Sequence, residues 1–124
     1  MSLSIISTPT CAIFSTGGDR VVSFLCNGIK DASKEFGFKL KIIGPSVLDD
    51  TQMYEALQNA LVENPDLIVT TPYNFSAIQG LYTQAKEKGI PIINISSDSD
   101  EAGRVSFIGT DNTAYGQLAA DYIN

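Results

Sequence analysis

The sequence predicts an α/β protein built on a doubly wound parallel sheet, and two observations carry that expectation. The apolar runs Leu67–Val69, Ile90–Ile95 and Val105–Ile108 are short, rich in Val and Ile, and apolar on both sides, as strands covered by helices on both faces are. Each run then empties into a cluster of Ser, Thr, Asn, Asp and Tyr. Open parallel sheets bind ligands outside the carboxyl ends of their strands, so the pattern marks a binding edge.

The elements follow in order. Cys11–Ser15 is the first strand, with Ser4–Ile6 as an apolar lead-in broken by Pro9. Thr16-Gly17-Gly18-Asp19 is a turn and helix-start signal. The helix after it carries Val21, Leu25, Gly28, Ile29, Ala32 and Phe36 on one stripe. Gly28 is expected to let this helix approach the sheet closely, and Gly37 to end it in the left-handed conformation. Phe38–Ile43 alternates Phe38, Leu40 and Ile42 with Lys39 and Lys41, which predicts a strand with an exposed face or at a sheet edge. Gly44-Pro45-Ser46 breaks it. Asp49 and Gln52 have capping-box spacing before a helix whose stripe is Met53, Leu57, Ala60 and Leu61. Asn64-Pro65 stops that helix ahead of the Leu67 run. A third helix starts near Asn74–Ser76, presents Ile78, Leu81, Tyr82 and Ala85, and ends at Gly89 before Pro91. A fourth begins near Thr113 and runs through Leu118 and Ile123. The order is β-α-β-α-β-α-β-β-α, and right-handed crossovers force the helices onto both faces.

Composition narrows the chemistry. The 124 residues suit one domain with a layered core. A net charge of −6 with scattered Lys and Arg argues against a nucleic-acid surface. After Pro91, Arg104 stands alone against Asp98, Asp100, Glu101, Asp111 and Asp121, a solvated acidic face. There is no His, which removes the Ser-His-Asp triad, the Cys-His pair and most zinc sites. Cys11 and Cys26 lack metal-ligand spacing. No catalytic residue, metal or cofactor is assigned, and the chain is read as a non-enzyme. No apolar run approaches the ~20 residues that cross a bilayer. The N-terminus shows no basic stretch leading a long apolar one, so no signal peptide is read in it.

The succession Gly28-x-x-x-Ala32 with Phe36-Gly37, Asn64-Pro65-Asp66-Leu67-Ile68-Val69, Lys88-Gly89-Ile90-Pro91 and Gly109-Thr110-Asp111-Asn112 resembles the type I periplasmic binding proteins. These are the sugar receptors of ATP-driven (ABC) importers, and the effector domains of lac-repressor-like regulators share their Rossmann-like fold. Family members clamp the ligand between two such lobes. The resemblance implies that residues 11–124 are the N-terminal lobe, incomplete; residues 1–10 are read as a lead-in, and the N-terminal residues Met1-Ser2-Leu3 by themselves suggest a cloning scar. An uncovered sheet edge agrees with a piece of something longer.

Three loops are candidates for ligand contact. In Ser15–Arg20, the backbone amides of a helix start could hold an anion, but the loop has neither G-x-G-x-x-G nor Gly-Lys-Ser/Thr. The plain reading is a turn with Asp19 as cap. The resemblance makes it the first ligand loop, with Thr16, Asp19 and Arg20 as contacts; Asp19, Val21 and Val22 stand where relatives often carry an Asn and two stacking rings. In Thr70–Asn74, Tyr73 offers a ring face and a hydroxyl, and Asn74 either joins it or caps the third helix. In Ser96–Asp100, where relatives grip sugar hydroxyls with Asp-Arg or Asp-Ser-Asp, Ser96 and Ser97 stand at the first two positions and Asp98 at the third. The grip would then rest on hydroxyls and one carboxylate, with Ser97 and Asp98 as contacts. Asp111 and Asn112 fall at the family's hinge, and also suit an ordinary helix N-terminus.

The leading expectation is non-catalytic binding of a sugar or sugar-like small polar ligand, as the solute receptor of an ABC-type importer. Its partners would be a sugar or polyol and a membrane permease, with no nucleic acid through this segment. The parent protein would be periplasmic or extracellular and membrane-associated. The isolated lobe is expected to self-associate. The alternative is the effector domain of a lac-repressor-like regulator, cytoplasmic and preceded by a helix-turn-helix. A phosphoryl-accepting receiver would need an Asp where the third strand ends in Thr70-Thr71-Pro72.

Overall fold

The computed structural model describes residues 10–13, 20–47, 49–99 and 103–124. The expected lead-in over Ser4–Ile6 and the loop Thr16–Asp19 lie outside them. Nine elements alternate as β1 (Thr10–Ile13), α1 (Arg20–Phe36), β2 (Leu40–Ile43), α2 (Asp50–Val62), β3 (Leu67–Thr70), α3 (Phe75–Glu87), β4 (Ile92–Ile95), β5 (Ser106–Ile108) and α4 (Asn112–Ile123). This is the expected order.

The strands form one five-stranded sheet in the order β2-β1-β3-β4-β5, with every pairing parallel. The chain moves from β1 outward to β2, then returns to β3 on the other side of β1. The β1–β3 boundary is therefore the switch point of the sheet, where connections leave in opposite directions. The alternating residues β2 was expected to carry at an edge do sit at one edge.

Period-two alternation sends neighbouring strand residues to opposite faces. Ile68 and Ile92 pack with Met53, Leu57, Ala60 and Leu61 of α2 and with Ile78, Leu81, Tyr82 and Ala85 of α3. Leu67, Val69, Ile93 and Ile95 face the other way, toward Val22 and Cys26 of α1. Both stripes expected of α2 and α3 are the buried ones. Asp49 caps α2, accepting from the Gln52 amide at 2.8 Å, and the Lys88 ammonium reaches the Leu61 carbonyl at its far end. Gly37 and Gly89 terminate α1 and α3 with φ of 72° and 71°, the left-handed region where glycine is favoured.

The stripe expected of α1 is corrected. Val21 and Phe36 are 57% and 74% exposed, while Val22 and Cys26 are buried beside Leu25 and Ile29. The positions 22, 25, 26 and 29 keep helical spacing; the helix is simply rotated, because a free cysteine packs as a small hydrophobe. Gly28 lies on the outer side, and a Cβ added there would meet nothing within 4 Å, so the expected close approach to the sheet is not made. Beside α1, an apolar groove of about 420 Å³ runs over Leu67, Val69, Ile93, Ile95 and Ile108. The α4 helix buries no residue.

Candidate functional site

In a parallel sheet all carboxyl ends lie along one edge. Here β1, β3 and β4 are neighbouring strands, and the pairings Ile13↔Thr70 and Thr70↔Asn94 set their ends level. Thr71, 1% exposed, ties the loops after β3 and β4 together by donating its hydroxyl to the Ile95 carbonyl at 2.9 Å. Both loops turn tightly. The Tyr73 amide bonds to the Thr71 carbonyl at 3.1 Å, and the Ser97 amide to the Ile95 carbonyl at 2.8 Å. Ser96 takes a φ of 70°, a left-handed conformation uncommon outside glycine.

Of the expected contacts, Thr16 and Asp19 lie outside the described residues. Arg20 is the first residue of α1 and is exposed. Tyr73 and Asn74 line a recess between the N-terminal ends of α2 and α3, with Asp50, Met53, Leu57, Thr70, Thr71, Ala77 and Ile78 around it. Its open space is about 10 Å³, room for roughly one water molecule. Asn74 occupies the N-cap position of α3, but its side chain makes no cap bond. It donates instead to Asp50 Oδ2 at 2.7 Å and accepts from the Ser76 hydroxyl at 2.9 Å. Asn74 thus joins the starts of two helices.

Ser97 and Asp98 follow β4, both half-buried. Asp98 Oδ1 accepts from Asn94 Nδ2 at 3.0 Å and from Arg104 Nε at 2.8 Å, and Oδ2 accepts from Arg104 Nη2 at 2.5 Å. Asn94 points to the α3 side of the sheet, where Tyr82 donates its hydroxyl to Asn94 Oδ1 at 2.7 Å. The chain after Ser97 therefore turns back along that face. Hydrogen bonds from Arg104 hold the Asp98 carboxyl well below the usual carboxylate range, against the opposing effect of burial and with help from Asn94 and the Ser99 amide. Burial, and then the Asp98 charge, push the Tyr82 hydroxyl well above the ordinary tyrosine value. Asp111 caps α4, accepting from the Ala114 amide at 3.0 Å, and Asn112 is the first residue of that helix. Both are exposed and stand apart from the recess residues in sequence and packing.

Sequence reasoning passed over Asp50, Asn94 and Arg104. Asn94 did leave a signal, a polar residue inside the apolar run Ile92-Ile93-Asn94-Ile95. Asp50 is legible only once the N-terminus of α2 is known to stand beside that of α3. Among the described residues no group of carboxylate or Cys side chains could hold a metal ion, and no helix is long and apolar enough to cross a membrane.

A doubly wound parallel sheet with polar loops at the carboxyl ends of β3 and β4 is an architecture that suits small-molecule binding. The chain belongs to the periplasmic binding protein domain family, whose sequence model matches residues 12–124. It is similar to the ribose import binding protein RbsB of Haemophilus influenzae, 26% identical over 99 residues that cover 80% of this chain and 34% of that protein. Similarity to RbsB of Bacillus subtilis is 24% over 99 residues, covering 80% and 32%. Among solved structures, GanP, a glucose-galactose binding protein from Geobacillus stearothermophilus, superposes with a TM-score of 0.85 at 25% identity, covering 94% of this chain and 41% of that one. The chain thus spans about a third of the length of the curated relatives it matches.

Proposed function

We propose that this chain is one lobe of a non-catalytic receptor for a sugar or sugar-like polyol, and that the whole protein delivers its ligand to the membrane permease of an ABC-type importer outside the cytoplasm. The observation that carries this reading is the coupling of the Tyr73–Asn74 and Ser96–Asp98 loops through Thr71 at the sheet's carboxyl edge, in a chain of the periplasmic binding protein domain family. Tyr73 would offer a ring face to the apolar side of a sugar, while Asn74, Ser97 and Arg20 supply donors and acceptors for its hydroxyls. Thr16 and Asp19 would complete the edge from the β1 loop, and Asp98 belongs to the same edge at the base of its loop.

Selectivity in such a site comes from buried polar groups that lose their partners when the ligand lacks a hydroxyl. A second lobe would close over the ligand by a hinge motion that the ligand selects, and Asp111 and Asn112 would lie at the crossing between lobes. Titration calorimetry of the full-length protein against pentoses, hexoses, polyols and amino acids tests the reading. Saturable heat with one sugar class is the expected result; binding confined to amino acids, or none across the panel, would overturn it.

A further inference from the structure

Most of the acceptor capacity of the Asp98 carboxylate is already engaged within the chain. An ionised carboxylate offers about four acceptor positions. Asp98 receives two bonds from the Arg104 guanidinium and one from Asn94 Nδ2, and the neighbouring Ser99 amide further favours its charged form. The guanidinium is a planar fork that fixes direction as well as distance. Behind it Asn94, 0% exposed, is itself held by Tyr82. The chain from α3 through β4 to the start of β5 is thereby braced on the sheet face away from α1.

That brace closes the loop that carries Ser96 and Ser97. Ser96 sits at φ 70°, a conformation that costs a non-glycine residue free energy and persists only where the surroundings over-determine it. The Ser96 amide bonds to the Ile108 carbonyl at 2.9 Å, so β5 holds one side of the loop. The Asp98–Arg104 pair holds the other. We propose that Arg104 is a positioning residue for ligand binding: through Asp98 it locks Ser96–Ser99 in the shape that presents the serine hydroxyls, and the Asp98 carboxylate is a brace and not a ligand contact. This rests on the sugar-receptor reading above.

The test uses the full-length protein with Arg104→Gln, Arg104→Lys, Asp98→Asn and the Arg104→Gln/Asp98→Asn double variant. Sugar affinity is read by calorimetry, and amide hydrogen exchange at Ser96 and Ser97 is read without ligand, well below the melting transition. A brace predicts that both single neutral variants weaken binding roughly 10-fold, that the double variant loses no more than either, and that both speed exchange at the two serines. Arg104→Lys, which keeps the charge but loses the fork, should restore only part of the affinity. A direct Asp98 contact predicts lost affinity in Asp98→Asn with unchanged affinity in Arg104→Gln, and that result overturns the proposal. Unchanged exchange in Arg104→Gln overturns it too, whether or not any sugar binds. Absence of sugar binding by the unmutated protein refutes the receptor reading instead, and the exchange comparison still decides whether the brace exists.

Discussion

Tyr82 on α3 donates its hydroxyl to Oδ1 of Asn94 on β4 at 2.7 Å, in a place where Asn94 is 0% and Tyr82 4% exposed. The amide's other end donates to Asp98, so one buried asparagine links a helix, a strand and the loop beyond it. A polar atom buried without a partner costs about 1–3 kcal/mol. Tyr82→Phe should therefore destabilise the lobe by about that amount, by stranding Asn94 Oδ1. Asn94→Leu should cost at least as much, since it strands the Tyr82 hydroxyl. The double variant replaces both partners with apolar groups and should cost less than the sum, with a coupling of about 0.5–3 kcal/mol. Urea unfolding followed by circular dichroism measures this; the chain has no Trp to report by fluorescence. Additive losses would show that the hydrogen bond contributes nothing.

Acid should loosen the same region. The Asp98 carboxyl titrates below its ordinary value of 3.8 because Arg104 and Asn94 hydrogen-bond its charged form. The unfolded chain then binds the proton first, so stability rises with pH across the interval between the two pKa values. The contribution of the pair is fully present above the ordinary carboxylate range and drains away as pH falls through the folded value. Urea midpoints collected from about pH 6 down to about pH 2.5 should decline more gently in Asp98→Asn than in the unmutated chain at the acid end. Parallel curves would mean that the pair carries no net stabilisation.

The unequal legibility of this fold has a physical basis. The stripes of α2 and α3 could be read because each is made of strongly apolar or small residues at strict helical spacing, and all eight residues are buried. The stripe of α1 is legible at Leu25 and Ile29, but its reading misses Val22 and Cys26, which are buried, in favour of Val21 and Phe36, which are apolar yet exposed. At the candidate site, the loops could be placed from the strand ends alone. The Asp98–Arg104 pair could not, since its formation depends on how the chain turns back between β4 and β5. Asn74 shows the same limit. Its sequence position marks a helix start, whereas its partner Asp50 belongs to a different helix.

The core between α2, α3 and the sheet should be the most sensitive to truncation. Leu57 and Leu81 are 2% and 0% exposed within one cluster that includes Ile68 and Ile92. Leu57→Ala or Leu81→Ala removes buried methyl groups and leaves a cavity, at about 2–5 kcal/mol each. Val21→Ala, on the exposed side of α1, should change stability by less than about 0.5 kcal/mol. Chemical denaturation of the three variants distinguishes them, and an equal loss at Val21 would contradict the rotated α1 stripe.

The opposite face makes the final prediction. Period-two alternation places Leu67, Val69, Ile93 and Ile95 on the side of α1, but that helix leaves an apolar groove of about 420 Å³ beside it, and α4 contributes no buried residue. Apolar surface open to water drives association wherever a matching surface is available, and a second copy of this chain offers the same groove and the exposed Leu118, Tyr122 and Ile123 of α4. The 124-residue chain on its own should therefore self-associate, with a sedimentation coefficient that rises with concentration. Ile93→Asn, which places an amide in the groove, should shift the distribution toward monomer by weakening burial at its centre. A chain that sediments as a monomer at all concentrations and melts cooperatively would show that the groove is too small or too well covered to recruit a second copy.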